Sequence, residues 1–387
     1  MSKLYPHRTK PFKGLAAFHH VGEDTSPSQA AVLLHMGNQL RGGDVGLKAR
    51  AAVLRRKGFV ASASMDEFPV PMLRQVGGVV PFDESRERLQ RLHGYKASLV
   101  PAPARDGAMF EGAFRGCAER VFSKPLAAHA ADLFAMGMEH PRELVRIAAA
   151  IASLPLSTRP QHNVRVLVKG LKSADNLERT LAATGLARNY PEHPALRPLS
   201  RGRTAKLRKK PPETLMLIHG TWASDAPWYQ PGGDFFTFIG ALRKDLYGQA
   251  DFFKWSGGWS DGARQDGATT LQAWVTERHE QGLDLMGHSH GANVILKATD
   301  LGLKLGKVVL LSCPVHVDKY FPNFANLGKP VFSVRVKHDL VILADGGGQC
   351  FTHPDIREIV LPIWFDHGAT HEPKVWQDQD IARKVAL

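Results

Sequence analysis

The chain has 387 residues, 43% of them hydrophobic, and a formal net charge of +13. That length and apolar content can bury two cores, which excludes a disordered or fibrous protein. Its three cysteines, Cys117, Cys313 and Cys350, are too few and too far apart for a disulfide framework or a cysteine metal site, and a reducing, cytoplasmic setting is expected.

The opening Met1-Ser2-Lys3-Leu4-Tyr5-Pro6-His7-Arg8 has no apolar segment of the signal-peptide kind, and no stretch approaches 18 consecutive apolar residues. Neither a signal peptide nor a transmembrane span is therefore expected. Charge is unevenly spread: residues 1–212 carry 34 Lys and Arg against 17 Asp and Glu, and residues 213–387 carry 16 against 20.

In the basic half, Gly37 to Asp44 has the glycines of a phosphate loop. Gly43-Asp44 stands where Lys-Ser/Thr would be required, so no cation would reach a phosphate. The segment 41–57 combines six cations with Val45, Leu47, Ala51, Val53 and Leu54 and predicts a basic amphipathic helix with a solvated face. Residues 127–138 and 141–154 read as two helices, the second entered through Pro141. Residues 163–168 read as a strand, with a helix over 173–184. The expectation for 1–196 is an α+β or α/β domain of unrecognised family. A linker follows at 197–212, where six cations fall within 201–210 ahead of Pro211-Pro212. A run of this kind is a solvated linker or a contact for an anionic partner, nucleic acid or membrane surface.

From 213 onward, apolar runs at 215–218, 250–255, 283–286, 307–313, 329–336 and 356–365 alternate with helical patterns at 233–247, 263–279, 291–303 and 373–386. Alternation of this kind predicts an α/β domain over 213–387, with a doubly wound, mostly parallel sheet and reactive residues at strand C-terminal ends. The first run ends in His219-Gly220-Thr221-Trp222.

Two segments satisfy G-x-S-x-G, 258–262 and 287–291. In the first, Ser256 and Gly257 separate the apolar run from Gly258, and Ser260 or Asp261 is placed to cap the helix that follows. In the second, the apolar run stops at Gly287 and a small-residue helix begins at once. A sharp strand-to-helix turn there would lift the Ser289 hydroxyl above the sheet.

A serine hydroxyl is weakly nucleophilic at neutral pH, so it needs a base and an acid to orient that base. Asp339 follows the 329–336 run, and His367 lies two residues past the 356–365 run. Asp345 and Asp366 are alternative acids, and His371 is an alternative base. The oxyanion donors expected are the amides of His290, directly after the nucleophile, and Thr221, with Trp222 as the alternative.

Together, Ile218-His219-Gly220-Thr221-Trp222, Lys254-Trp255-Ser256-Gly257 with Arg264, Gly287-His288-Ser289-His290-Gly291-Ala292-Asn293, Asp339-Leu340-Val341 and the His367 loop resemble the α/β-hydrolase (esterase/lipase) superfamily. The stretch is similar to bacterial hydrolases whose turn reads Gly-His-Ser-His-Gly-Gly-Asn, with Ala292 replacing the second of the paired glycines. The resemblance implies an α/β-hydrolase fold and cofactor-independent, metal-free hydrolysis of a small-molecule or lipid ester through an acyl-enzyme. Only 15 residues separate Pro314 from Pro330, so no long cap is inserted there. The competing expectation is a nucleic-acid- or anionic-membrane-associated protein that uses the hydrolase fold as a binding scaffold.

Overall fold

The computed structural model describes residues 12–20, 24–56, 70–74, 82, 83, 85, 87, 107–200, 214–248, 252–278, 282–328 and 330–387. The basic run at 201–210 lies outside them. So do the side chains of 42–56 and all of Lys57, where the basic amphipathic face was expected. Packing divides the chain into two compact units, a mainly helical one ending at Tyr190 and a sheet-bearing one that takes up the chain from Pro191, with Leu343–Gly346 grouped with the first and Ala51–Ala63 with the second.

The helical unit contains α1 (Ser26–Arg56) as far as Arg50, α2 (Gly107–Ser123), α3 (Ala127–Gly137), α4 (Glu143–Ser153), α5 (Gln161–Gly170) and α6 (Asn176–Asn189). From α2 onward each helix packs on the next. Gly37 to Asp44 lies inside α1 and forms no loop. Among the described residues of this unit, the only β pairing is an isolated bridge between Arg74 and Leu126. Over the described residues, the expected α+β or α/β character is thus corrected to helical.

The strand expected at 163–168 is part of α5. Its alternating Val164, Val166 and Val168 favour a strand locally, but burial falls on His162, Asn163, Val166, Leu167 and Gly170, one helical stripe. Asn163 fixes that face by donating to Ala150 O at 3.2 Å and Ser153 Oγ at 2.8 Å. Helix α4 starts at Glu143 after an extended Arg142, so Pro141 precedes the helix and does not open it.

The second unit is mixed α/β. Its strands are β1 (Leu215–Ile218), β2 (Leu283–His288), β3 (Leu305–Leu311), β4 (Val331–Lys337) and β5 (Ile356–Trp364), all parallel and ordered as in the chain. Strands β1 to β3 are buried along their whole length, which is why they read as largely apolar runs. Strand β5 mixes buried and exposed residues, and an edge position tolerates its Pro362.

Helices α7 (Asp234–Leu242), α8 (Asp261–Glu277), α9 (His290–Asp300), α10 (Leu340–Asp345), α11 (Pro373–Asp378) and α12 (Ile381–Lys384) accompany the sheet. Helix α8 packs on α9, and α11 on α7. The single helix expected over 373–386 breaks at Asp380, which adopts a left-handed conformation (φ 50°, ψ 44°).

The reversal of strand order that defines a doubly wound sheet is not found among the five described strands. The 250–255 run, expected as a strand, forms none over its described residues 252–255. Chain in that neighbourhood instead covers the free edge of β1: Leu246 bridges Leu215, and Trp255 Nε1 donates to His219 O at 2.8 Å. No described helix is long and apolar enough to cross a membrane.

Candidate active site

Ser289 occupies the single residue between β2 and α9, with φ 54° and ψ −132°, a region that residues other than glycine enter only under constraint. The constraint is visible. Its amide donates to Leu311 O at 2.8 Å, continuing the β2–β3 ladder, and its carbonyl accepts from Ala292 N–H at 3.0 Å. A Cβ on Gly291 would lie 2.2 Å from His219 O, and one on Gly287 would lie 2.9 Å from Ala292 N. Both flanking glycines are therefore required by backbone contact. The second G-x-S-x-G segment does something else: Ser260 has ordinary extended geometry, and its Oγ accepts Ala263 N–H at 3.1 Å, capping α8.

Asp339 follows β4 and is fully buried. Its Oδ2 accepts the Nδ1–H of His367 at 2.7 Å, while its Oδ1 accepts the N–H groups of Val341 and Ile342 at 3.0 and 3.2 Å. The same carboxylate thus starts α10 and orients an imidazole. Gln349 brackets its backbone, accepting Asp339 N–H at 2.9 Å and donating to Asp339 O at 3.2 Å. With Nδ1 protonated toward a carboxylate, His367 keeps a lone pair on Nε2, the form a general base needs.

The alternative residues are placed elsewhere. Asp366 accepts Gly368 N–H at 2.9 Å, and Asp345 ends α10. The His371 ring stacks on Trp228, centroids 4.5 Å apart, and meets the His288 ring edge-on.

His367 and Ser289 are joined through His288, the residue before Ser289. The ring of His288 lies 4.7 Å from that of His367, and its Nε2 is 3.1 Å from His367 O. No hydrogen bond links Ser289 Oγ to the His367 ring among the described residues. Such bonds are often long in unliganded enzymes and shorten when substrate binds.

The loop after β1 abuts Ser289: a Cβ on Gly220 would come within 2.9 Å of Ser289 Cβ. Trp222 N–H is committed to Gly257 O at 2.9 Å, which leaves Thr221 as the loop's candidate oxyanion amide. His290 is the first residue of α9, where backbone N–H groups have no acceptor within the helix.

Burial sets the protonation of the surrounding histidines. It lowers His219 to about 4, and the ring donates Nδ1–H to Gly220 O at 2.8 Å. Burial lowers His371 to about 4 as well, assisted by His367. His288 is held well below the usual imidazole range by burial, then by His371 and His367.

A second network reaches the ring of His290, the residue after Ser289. Arg264, 4% exposed, donates to Tyr320 Oη and the His290 ring at 2.9 Å and to Asp261 at 2.6 Å. Asp261 also accepts from Tyr320 at 2.7 Å and from Lys319. Burial opposes its charge, but these three donors outweigh burial and hold the carboxyl below the usual range. Sequence reasoning missed the roles of His288, Gln349 and Tyr320, for which the chain gives no signal beyond residue type. Among the described residues no group of three or more His, Cys, Asp or Glu is placed to hold a metal ion.

No protein-family model matches the chain, and no curated protein does. Among solved structures, it is matched to an uncharacterized protein from Bacillus cereus ATCC 10987, at 12% identity and a TM-score of 0.26, over 70% of this chain and 97% of that one. A likeness that weak carries no argument about fold or activity.

Proposed function

We propose that the second unit is an α/β-hydrolase domain and the protein a serine hydrolase that cleaves carboxylic esters. The observation that carries this reading is the buried Asp339–His367 pair beside a strained Ser289 at the end of a parallel strand. The chain order Ser, Asp, His, each leaving a different strand, supports it.

In this reading His367 Nε2 takes the Ser289 hydroxyl proton as Oγ attacks the ester carbonyl. The Thr221 and His290 amides hold the oxyanion, and each donor contributes roughly 10² to 10³ in rate. Imidazolium His367, stabilised by Asp339, then protonates the leaving alkoxide. Water deprotonated by the same ring attacks the acyl-Ser289 carbonyl, and collapse returns the proton to Oγ and releases the acid. Burial keeps His288 and His371 neutral beside it.

The test is turnover of a short p-nitrophenyl ester. Ser289→Ala abolishes it and Ser260→Ala retains most of it; loss in both, or in neither, removes the assignment.

A further inference from the structure

Both residues flanking the nucleophile are histidines, and the first has a role that the triad leaves unassigned. Its Nε2 lies 3.1 Å from the carbonyl oxygen of His367. A carbonyl only accepts, so this nitrogen carries the hydrogen and the ring is the neutral Nε2–H tautomer. The bond crosses 79 residues of sequence, joining the end of β2 to the loop that carries the base.

The ring is held there on three sides. His371 lies 4.5 Å away, Trp228 5.6 Å away and His367 itself 4.7 Å away. A Cβ on Gly220 would approach its Nδ1 to 3.3 Å, so the loop after β1 closes the remaining side. Asp339 fixes the His367 side chain from one end; the main chain of the same residue is fixed by His288.

We infer that His288 is a positioning residue, whose Nε2–H ties the His367 backbone to the nucleophile turn and so fixes the separation of base and serine. The inference rests on the serine-hydrolase reading. It adds a fourth residue, one that touches no reacting atom, to the machinery of that reading. A misplacement of about 1 Å at a reacting group costs on the order of 10² in rate.

Two measurements on the full chain test it. In protein labelled with ¹⁵N-histidine, the His288 ring shows the Nε2–H tautomer; an Nδ1–H tautomer overturns the link. In ester turnover, His288→Leu lowers kcat by about 10- to 100-fold with KM within about twofold. His288→Gln, which keeps an N–H at similar reach, stays within about fivefold of wild type. Equal loss in both variants, or no loss in His288→Leu, overturns the positioning role, and the tautomer measurement decides the link even where a variant fails to fold. Wild-type protein with the Nε2–H tautomer but no turnover removes the hydrolase reading and with it the role. Turnover with the Nδ1–H tautomer removes the role alone.

Discussion

Replacing Asp339 by asparagine changes one oxygen of a fully buried side chain, and its consequence follows from what that side chain touches. The two amides of Val341 and Ile342, at 3.0 and 3.2 Å, need an acceptor, so they fix the Asn carbonyl oxygen in the place of Oδ1. The amide NH₂ is then forced toward His367 Nδ1, 2.7 Å from the atom it replaces. A donor cannot face the Nδ1–H, so the imidazole shifts to its Nε2–H tautomer and loses the lone pair that receives the serine proton. Loss of this orienting carboxylate costs about 10⁴-fold in kcat, equivalent to about 5 kcal/mol of transition-state stabilisation. The α10 cap survives, so the fold does too. Asp339→Ala removes the cap as well and costs a further 1 to 2 kcal/mol or so in stability. The assay is kcat and KM for p-nitrophenyl butyrate, paired with thermal melts. Asp339→Asn with kcat near wild type, or with a melting point as low as that of Asp339→Ala, would refute the reasoning.

Three further outcomes are expected. Gly291→Ala places a Cβ 2.2 Å from the His219 carbonyl; with backbone on both sides it destabilises by about 1 to 3 kcal/mol or more, and turnover falls with it, so an unchanged melting point contradicts the packing. Ser260→Ala removes the α8 cap and lowers stability by about 1 kcal/mol in urea unfolding, while ester turnover persists. His219, buried and lowered to about 4, stays neutral in the folded state while the unfolded chain takes up a proton below about pH 6.5. The stability this ring confers is therefore complete above its unfolded pKa and is lost as pH falls from there toward about 4, amounting to about 2 kcal/mol by pH 5. Urea unfolding at pH 7 and 5 checks this: His219→Asn flattens the slope, and an equally steep slope in the variant excludes the ring as its source.

What could be read from the sequence depended on whether the constraint was local. Gly287 is dictated by contact with Ala292 and Ile295 within one strand–turn–helix unit, and the spacing showed it; Gly291 is dictated by His219 at the end of the neighbouring strand and was legible only as part of the motif. Strands β1 to β3 announced themselves as largely apolar runs because both their faces are buried. Where tertiary contacts decide, the sequence misled. The valines at 164, 166 and 168 read as a strand but belong to α5, because a helical stripe packs against neighbouring helices. Helix α10 was not foreseen, since six residues give little periodicity and its start is a cap by Asp339. Phe252–Trp255 is apolar enough for a strand, yet Trp255 uses its indole to hold the β1 end. The bond from His288 to His367 connects positions 79 apart and leaves no trace in any window of sequence.

The central claim is that Ser289 is an activated nucleophile. Labelling the purified chain with a fluorophosphonate probe, followed by peptide mapping, tests it most directly. The account predicts a single adduct on Ser289, lost in Ser289→Ala and strongly slowed in Asp339→Asn. Folded protein that takes up no probe, or carries the adduct on another serine, would contradict it.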